Sequence, residues 1–314
     1  MKYLVGDIGG TNTRLALADP SGVNSRTQRH YQNDLFGTFD EVLEQFRDDA
    51  GATGIDAACL AIAGPVGAAA ARLTNRDWTF DAARIGKALK TDSVVFINDL
   101  AALSYALSEL NPTRLYGPKS TPDEVQSLIV GMGTGFNVSL SKRTSESSTV
   151  AFEAELGHAA LPSPIANMLA DHLGCSISNT PRVEDWMCGS GLERIYQLMS
   201  GESLPSREIM QRFEVNSDQN ATQSVEVFAQ VLGKLGRQMV YQYMPRAGLF
   251  FAGSVARSVL KSDGFVHFER AFSSGDLGVV DVAKISVSLI EEDAAALQGC
   301  VQVLLDVTQT TQPG

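Results

Sequence analysis

The sequence predicts an α/β protein with two domains. Strand-like and helix-like segments alternate along the N-terminal third of the chain, which is typical of α/β architectures. A strand–glycine turn–strand unit near the N-terminus also occurs a second time, starting near residue 128. The length of 314 residues is enough for two domains that each bury a core.

The first unit begins with an apolar strand over 2–6, a polar turn at 9–12 and a strand over 14–18. Thr38 and Glu41 have the spacing of a capping box. The apolar residues that follow them recur with helical periodicity. The N-terminal segment is therefore predicted as strand, turn, strand and helix.

Two buried strands follow, over 57–63 and 94–97, and the second ends at Asn98-Asp99 before a helical stretch over 100–107. Ligands of parallel α/β sheets bind at the carboxyl ends of the strands, so Asp99 is placed for chemistry. An Asp at a strand–helix junction is also commonly a helix N-cap, and local evidence alone favours the cap.

The second unit has a strand over 128–131, a turn at 133–135 and a strand over 136–140. Each of the two turns carries a threonine beside its glycines, which suits a loop that faces a phosphate. We interpret the pair as a duplicated fold with one phosphate-handling turn in each half. Two unrelated hairpins are the alternative.

The rest of the chain is richer in helix. A buried strand over 249–252 runs directly into Gly253-Ser254, and the chain closes with a helical apolar face over 297–305. A further apolar stripe recurs every three or four residues and predicts a core-facing helix. The stripe consists of Val225, Phe228, Leu232, Leu235 and Met239.

The net charge of −11 excludes several classes of partner. Sequence-independent binding of nucleic acid needs cations that neutralise phosphates, and no Lys/Arg stripe is present. Anionic membranes should also repel the chain. Any phosphate must therefore be held locally, by backbone amides or by a metal ion.

The four cysteines lie far apart and form no CxxC pair, which argues against a disulfide framework and a structural zinc site. The N-terminus has no long apolar stretch typical of a signal peptide, and no apolar run is long enough to span a membrane. These features predict a cytoplasmic protein.

The turn after the first strand combines Asp7 with the adjacent Gly9 and Gly10. Adjacent glycines let backbone N–H groups approach an anion, and Asp7 could hold Mg²⁺ through water. A hairpin with a polar turn is the alternative. The chain contains neither a Walker motif nor a GxGxxG motif, so those two phosphate-binding solutions are absent.

Glu155 and His158 flank a glycine and could together hydrogen-bond the hydroxyls of a polyol. A metal site is the competing functional interpretation, but no other histidine has ligand spacing to His158. A lone histidine is more often structural. Glu184, before a glycine-rich turn, has no independent signal of its own.

Taken in order, these elements resemble the bacterial glucokinase family of the actin/hexokinase/sugar-kinase superfamily. The resemblance covers nearly the whole chain, and the collinear order of the motifs is its strongest feature. The motifs are LVGDIGGTNTRLAL (4–17), AIAGPV (61–66), LTNRDW (73–78), INDL (97–100), GMGTGF (131–136), ELGH (155–158), EDWMCGSGL (184–192) and FFAGSV (250–255).

The resemblance implies a two-domain actin-like (ribonuclease H-like) ATPase fold with a cleft between the domains, and ATP and Mg²⁺ as cofactors. Asp7 would lie near Mg²⁺, holding it through water, and the segment around Gly253 would border the adenosine. The implied cofactor-binding residues are Asp7, Gly9, Gly10, Thr11 and Asn12 in a first phosphate loop, Gly133, Thr134 and Gly135 in a second, and Gly253.

The resemblance also implies that Asp99 is the general base, and that the Gly64-Pro65 turn lies beside the sugar. The implied sugar-binding residues are Asn75, Asn98, Asp99, Glu155, His158 and Glu184. Three residues stand where the glucokinase pattern has glycine: Ala154 and Leu156 replace two glycines of GEGGH, and Ser254 replaces a glycine of AGGI. These departures concern sugar preference and nucleotide affinity.

The sequence thus predicts ATP-dependent phosphorylation of glucose to glucose 6-phosphate. The expected domains are a smaller α/β domain, 1–108 plus about 290–314, with the first phosphate loop and Asp99, and a larger α/β domain, 109–289, with the second phosphate loop, sugar ligands and the adenosine segment. A homodimer is expected from the resemblance alone. The alternatives are a kinase for another hexose or an N-acetylated amino sugar, and a non-catalytic sugar-sensing protein.

Overall fold

The computed structural model describes residues 1–74, 76–121, 123–144, 148–275, 280–292 and 294–310. The chain divides into two compact units. Unit 1 contains Met1–Asn111, Arg143–Glu153 and the segment that begins at Glu292. Unit 2 contains Pro112–Lys142 and Ala154–Glu291.

Strands and helices alternate through much of the chain, as the sequence predicts. The strands are β1 (Tyr3–Ile8), β2 (Asn12–Asp19), β3 (Gly22–Val23), β4 (Arg29–Gln32), β5 (Ala57–Ile62), β6 (Ala70–Arg72), β7 (Thr79–Asp81), β8 (Val94–Asn98), β9 (Thr113–Tyr116), β10 (Gln126–Met132), β11 (Phe136–Arg143), β12 (Thr149–Glu153), β13 (Gly248–Ala252) and β14 (Val287–Leu289). The helices are α1 (Phe39–Ala50), α2 (Ala82–Leu89), α3 (Asp99–Ala106), α4 (Ser163–Leu173), α5 (Gly189–Ser200), α6 (Ser206–Glu214), α7 (Gln219–Tyr243), α8 (Ser254–Leu260), α9 (Phe265–Ser273) and α10 (Ala295–Thr310). Short 3₁₀ turns span Ser25–Thr27, Asn33–Leu35, Leu156–His158 and Val282–Lys284.

The sheet of unit 1 has the order β3-β2-β1-β5-β8, with β4 beside β2. Strand β1 pairs antiparallel with β2 and parallel with β5, and β5 pairs parallel with β8. Alternate side chains of β1 point to opposite faces of the sheet. Leu4 and Ile8 pack in the core formed with α1 and α2, whereas Tyr3 and Val5 pack with α3 and α10.

Helix α1 begins as the capping box predicts. The Glu41 backbone N–H donates to the Thr38 hydroxyl at 3.4 Å, so Thr38 is the N-cap. The Glu41 carboxylate accepts from the Gly37 N–H at 2.8 Å. The predicted N-cap is confirmed. In a capping box the acidic side chain accepts from the N–H of the N-cap residue, whereas here the Glu41 carboxylate accepts from the N–H of Gly37, one residue before the cap.

The sheet of unit 2 repeats the connectivity of the first sheet. Its strands run in the order β11-β10-β13-β14-β9. Strand β10 pairs antiparallel with β11 and parallel with β13, and β13 pairs parallel with β14. The succession β11-β10-β13-β14 therefore matches β2-β1-β5-β8, which supports the duplicated fold over two unrelated hairpins.

Residues 143–153 belong with unit 1, although the second predicted domain includes them. Strand β12 packs against α3, with the backbone of Ala151 close to the Tyr105 side chain. The local sequence pattern gives no sign of this packing, because the partner helix lies far away along the chain.

Helix α7 carries the predicted core-facing stripe. All five of its residues are buried in the core of unit 2, and α7 packs against α9. The helix is capped by Asp218, whose Oδ1 accepts from the N–H groups of Asn220 (2.8 Å) and Ala221 (3.2 Å). Its Oδ2 accepts from the Tyr196 hydroxyl at 2.8 Å and from Arg212 at 3.2 Å.

We expect Asp218→Ala to lower the free energy of unfolding by about 2–3 kcal/mol, because it removes an N-cap and leaves the buried Tyr196 hydroxyl without its acceptor. The Tyr196 hydrogen bond is the main cause of a lowered pKa of Asp218. A lowered folded-state pKa stabilises the fold above the ordinary pKa of the carboxyl group, and this stabilisation is lost as the pH falls through the folded-state value.

Denaturant unfolding at several pH values tests this expectation. The gap in stability between wild type and Asp218→Ala should narrow below about pH 4. Asp171→Ala, which removes an exposed carboxylate from the same unit, is the control and should change stability little. Equal stability of Asp218→Ala and wild type at neutral pH would contradict the assigned role of the cap.

Candidate active site

The first predicted phosphate turn connects β1 to β2. The Gly9 N–H donates to the Asn12 carbonyl at 2.9 Å, and Ile8 pairs with Thr13 across the hairpin. Gly9 and Gly10 are half-buried, and Thr11 is exposed at the tip. The turn therefore has no side chain at Gly9 or Gly10 and is accessible from solvent, as a phosphate loop requires.

Asp7 lies on β1 directly below this turn. Its Oδ2 forms an ion pair with Arg14 of β2 at 3.2 Å, and both side chains are mostly buried. Asp7 and Arg14 face each other in the antiparallel register, so the hairpin itself fixes the pair. The sequence interpretation did not identify Arg14; its position opposite an acid in a predicted hairpin is the signal that could have done so.

Asp7 and Asp99 lie at the same edge of the sheet of unit 1. Ile8 pairs with Ile62, and Ile62 pairs with Asn98, so the carboxyl ends of β1, β5 and β8 are aligned. Neighbouring strands are about 4.8 Å apart, which places the ends of β1 and β8 about 10 Å from each other. The phosphate turn and the proposed base thus lie within the span of a small substrate.

The N-cap of α3 is Asn98, not Asp99. The Asn98 Oδ1 accepts from the N–H groups of Leu100 (3.0 Å) and Ala101 (3.3 Å). Asp99 is the first residue of the helix and also accepts from the Leu100 N–H, at 3.0 Å. The local expectation that Asp99 is the cap is therefore wrong, because Asn98 already satisfies the free amides of the first turn. The Asp99 carboxylate is half-buried at a helix N-terminus, which favours its negative charge.

The second predicted phosphate turn connects β10 to β11 in unit 2. The Gly133 N–H donates to the Gly135 carbonyl at 3.0 Å, and the Gly133 carbonyl accepts from the Gly189 N–H at 3.0 Å. Gly189 is the first residue of α5. Thr134, in the middle of the turn, is exposed. The turn is anchored at its base and open at its tip.

Gly253 joins β13 to α8 beside this turn. Its φ is +101°, and a Cβ atom there would lie 2.4 Å from the Met132 carbonyl oxygen. Only glycine fits this position. The following residue, Ser254, begins α8 and lies next to Gly133. The departure from the AGGI pattern thus puts a hydroxyl beside the second phosphate turn.

Glu155, His158 and Glu184 are brought together in unit 2. His158 Nδ1 lies 3.3 Å from Glu184 Oε1, and His158 Nε2 lies 3.9 Å from Glu155 Oε2. The Glu184 N–H donates to the Gly157 carbonyl at 2.9 Å, which fixes the two segments side by side. All three side chains keep solvent access. This group, which we call the polyol cluster, can present both donors and acceptors to hydroxyl groups.

Two residues that the sequence interpretation missed support the polyol cluster. Asn137 donates to Glu155 Oε2 at 3.0 Å and accepts from the Leu156 N–H at 3.0 Å. Arg182 pairs with Glu184 at 3.3 Å. Asn137 follows the second phosphate turn by two positions, so its placement depends on a tertiary contact that no local pattern indicates.

Asn75 lies outside the described residues. The segment just before it runs beside the Gly64-Pro65 turn, since the Thr74 N–H donates to the Ala63 carbonyl at 3.2 Å. Within the described part of the chain, no group of three or more His, Cys, Asp or Glu side chains could hold a metal ion by itself. None of the described helices is long and apolar enough to cross a membrane.

A family model described as glucokinase matches residues 4–307. The chain belongs to the glucokinase family. The predicted family and enzyme class are thereby confirmed. A curated glucokinase from Saccharophagus degradans is 27% identical over 310 residues, covering 95% of this chain and 96% of the relative.

Solved structures of glucokinases share the fold. A glucokinase from an Antarctic psychrotroph superposes with a TM-score of 0.79 at 22% identity, over 97% of this chain and 99% of that chain. A ROK-family glucokinase from Streptomyces griseus in complex with glucose and AMPPNP has a TM-score of 0.67 at 16% identity, over 96% and 99%. The predicted actin-like α/β fold is confirmed.

Proposed function

We propose that this glucokinase-family chain transfers the γ-phosphoryl group of ATP to the 6-hydroxyl of glucose. One observation carries the proposal: the Asp99 carboxylate and the Asp7–Asn12 turn lie at the same edge of one sheet. A base and a phosphate loop in this arrangement are the two elements that phosphoryl transfer to a hydroxyl requires.

Asp99 acts as the general base. Asp99 can accept the proton of the 6-hydroxyl as the oxygen attacks phosphorus. Asn98 uses its side-chain oxygen to cap α3, which leaves the carboxamide nitrogen as the atom that donates to the sugar. The helix start thus aligns the base and its neighbour as one rigid element.

The polyol cluster holds the other hydroxyl groups of the sugar. Carboxylates accept from hydroxyls, and a histidine ring can donate or accept, so the three residues fix both position and orientation. Asn75 is a further sugar ligand in this proposal, in addition to Asn98. A site built on such hydrogen bonds penalises a sugar that leaves one of its polar groups unpaired.

The two glycine turns hold the phosphates. The N–H groups of Gly9 and Gly133 close the two turns, so the donors to the phosphates are the N–H groups of Gly10 and Thr11 in the first turn and of Thr134 and Gly135 in the second. Gly253 and the start of α8 border the adenosine. Local amides explain how a chain with a net charge of −11 can bind a polyanion.

The residues present fit Mg²⁺. Asp7 offers a carboxylate beside the phosphate turn, and Mg²⁺ usually takes few carboxylates and keeps several waters. Asp7 would hold the ion through water, with the nucleotide phosphates as the remaining ligands. The bound ion supplies charge neutralisation on the transferred phosphoryl group.

We further propose that units 1 and 2 are the two domains of the kinase. A cytoplasmic location is supported by the four free thiols. A homodimer rests on the family resemblance alone.

An ADP-release assay with a panel of sugars tests the activity. We expect the highest kcat/KM with glucose, and lower values with mannose, fructose and N-acetylglucosamine. Turnover confined to the N-acetylated sugar would overturn glucose as the substrate. Thermal stabilisation by a sugar without ADP release would instead identify a sensing protein.

A further inference from the structure

Asn33 is a fully buried polar residue beneath the first phosphate turn. It begins the 3₁₀ turn Asn33–Leu35, which follows β4. Its Nδ2 donates to the carbonyl of Gly9 at 2.8 Å and to the carbonyl of Gly10 at 3.3 Å. Its own backbone N–H donates to the Thr11 carbonyl at 2.8 Å. One residue therefore binds three successive carbonyls of the turn.

The orientation of the Asn33 carboxamide is fixed. A backbone carbonyl can only accept, so the atom that contacts Gly9 must be the nitrogen. The opposite atom, Oδ1, accepts from the Thr13 hydroxyl at 2.8 Å, and Thr13 is also fully buried. A buried polar group with every partner in place holds its neighbours in one arrangement.

These hydrogen bonds determine where the amides of the turn point. A trans peptide group carries its C=O and N–H on opposite sides. With the carbonyls of Gly9 and Gly10 directed inward to Asn33, the N–H groups of Gly10 and Thr11 are directed away from the core. That side of the turn is the accessible one, since Thr11 is exposed.

The 33–35 turn also holds Gly10 indirectly, through Arg76. The Arg76 Nε donates to the Gly10 carbonyl at 3.3 Å. The guanidinium of Arg76 pairs with Asp34, the residue after Asn33, and lies over the Trp78 ring at 5.1 Å. The Gly10 carbonyl is thus held by both Asn33 and Arg76.

We propose that Asn33 is a positioning residue for phosphoryl transfer, which orients the N–H groups of Gly10 and Thr11 toward the nucleotide phosphates. This inference rests on the proposed function, because it requires the Gly9–Asn12 turn to bind phosphate. Asn33 does not touch the substrate; it acts through the backbone of the turn.

The substitution Asn33→Asp tests the inference. It keeps the size of the side chain but replaces the donor with an oxygen, which the carbonyls of Gly9 and Gly10 repel. We expect the affinity for AMPPNP with Mg²⁺, measured by calorimetry, to fall about tenfold or more, and kcat with ATP to fall as well. The dissociation constant of glucose, measured without nucleotide, should stay within twofold of wild type.

Two further variants keep the test decisive. Asn24→Asp makes the same change at an exposed residue of unit 1 and keeps the side-chain oxygen that accepts from the Arg26 N–H at 3.1 Å, so this variant should behave as wild type. Thr13→Val removes the hydroxyl that fixes the Asn33 carboxamide, with little change of volume. Thr13→Val should weaken AMPPNP binding about threefold or more. It replaces Asn33→Asp as the test variant if Asn33→Asp does not fold.

Wild-type nucleotide affinity in a folded Asn33→Asp, or in Thr13→Val if Asn33→Asp does not fold, would overturn the inference. Parallel losses of glucose and nucleotide affinity would also overturn it, because they indicate a general structural role. A wild-type protein that binds AMPPNP but phosphorylates no sugar overturns the proposed function, while the comparison of nucleotide affinities still tests Asn33. A wild-type protein that binds no nucleotide overturns both.

Discussion

Asp99→Asn should lower kcat for glucose phosphorylation by about 10²- to 10⁴-fold, because the carboxamide cannot accept the proton of the attacking hydroxyl. The change preserves the size of the side chain at the start of α3, and Asn98 still caps the helix. Glucose should therefore continue to bind. Steady-state kinetics together with calorimetric titration of glucose measure the two effects separately.

Asp92→Asn is the matched control, since it makes the same change at an exposed residue just ahead of β8. Its kcat should equal that of the wild-type protein. Turnover by Asp99→Asn within a few-fold of wild type would exclude Asp99 as the general base. Loss of glucose binding along with turnover would instead assign Asp99 to sugar binding alone.

Gly157→Ala is expected to reduce kcat/KM for glucose by about 10- to 100-fold and to destabilise the fold by about 1–3 kcal/mol. A Cβ atom at Gly157 would lie 2.0 Å from the carbonyl oxygen of Phe136, which is backbone and cannot rotate away. The turn or the start of β11 must therefore move. Because Gly157 also accepts from the Glu184 N–H, the polyol cluster loses its geometry.

Gly37→Ala is the control for this change. A Cβ at Gly37 would meet only the carboxylate end of Glu41, at 3.1 Å, and that side chain can move aside. We expect near-normal kinetics for Gly37→Ala and a loss of stability of at most about 1 kcal/mol, because the displaced carboxylate also accepts from the Gly37 N–H. Glucose titrations and denaturant unfolding provide the comparison. An unchanged kcat/KM in Gly157→Ala would show that the cluster does not depend on this close approach.

The sequence is sufficient to predict features whose cause is local. The glycine turns of β1–β2 and β10–β11, the Thr38 cap and the buried stripe of α7 each depend on residues close together in the chain, and each is found where predicted. The collinear order of the family motifs also allows the residues of the polyol cluster to be predicted. Glu184 has no local signal and is identified through the family resemblance.

Local sequence patterns do not predict contacts between segments that are far apart in the chain. Asn33 belongs to a short polar turn that resembles any loop, and only the fold places it beneath Gly9 and Gly10. Strand β14 is only three residues long, too short for a periodic pattern. The role of Asn98 as N-cap depends on where α3 begins, and helix ends are the least predictable part of a helix.

The packing of α10 in unit 1 has a consequence for synthesis of the protein. This helix covers the face of the sheet formed by Tyr3, Val5 and Cys59, and Cys300 contacts the carbonyl of Gly6 next to the phosphate turn. A nascent chain emerges N-terminus first, so the part of this apolar face that α10 covers stays exposed until α10 has been translated, although α3 is already present. Unit 2, whose residues all precede Glu292, can therefore fold earlier on the ribosome. The unit that contains the proposed base is the last to be completed, although most of it is made first.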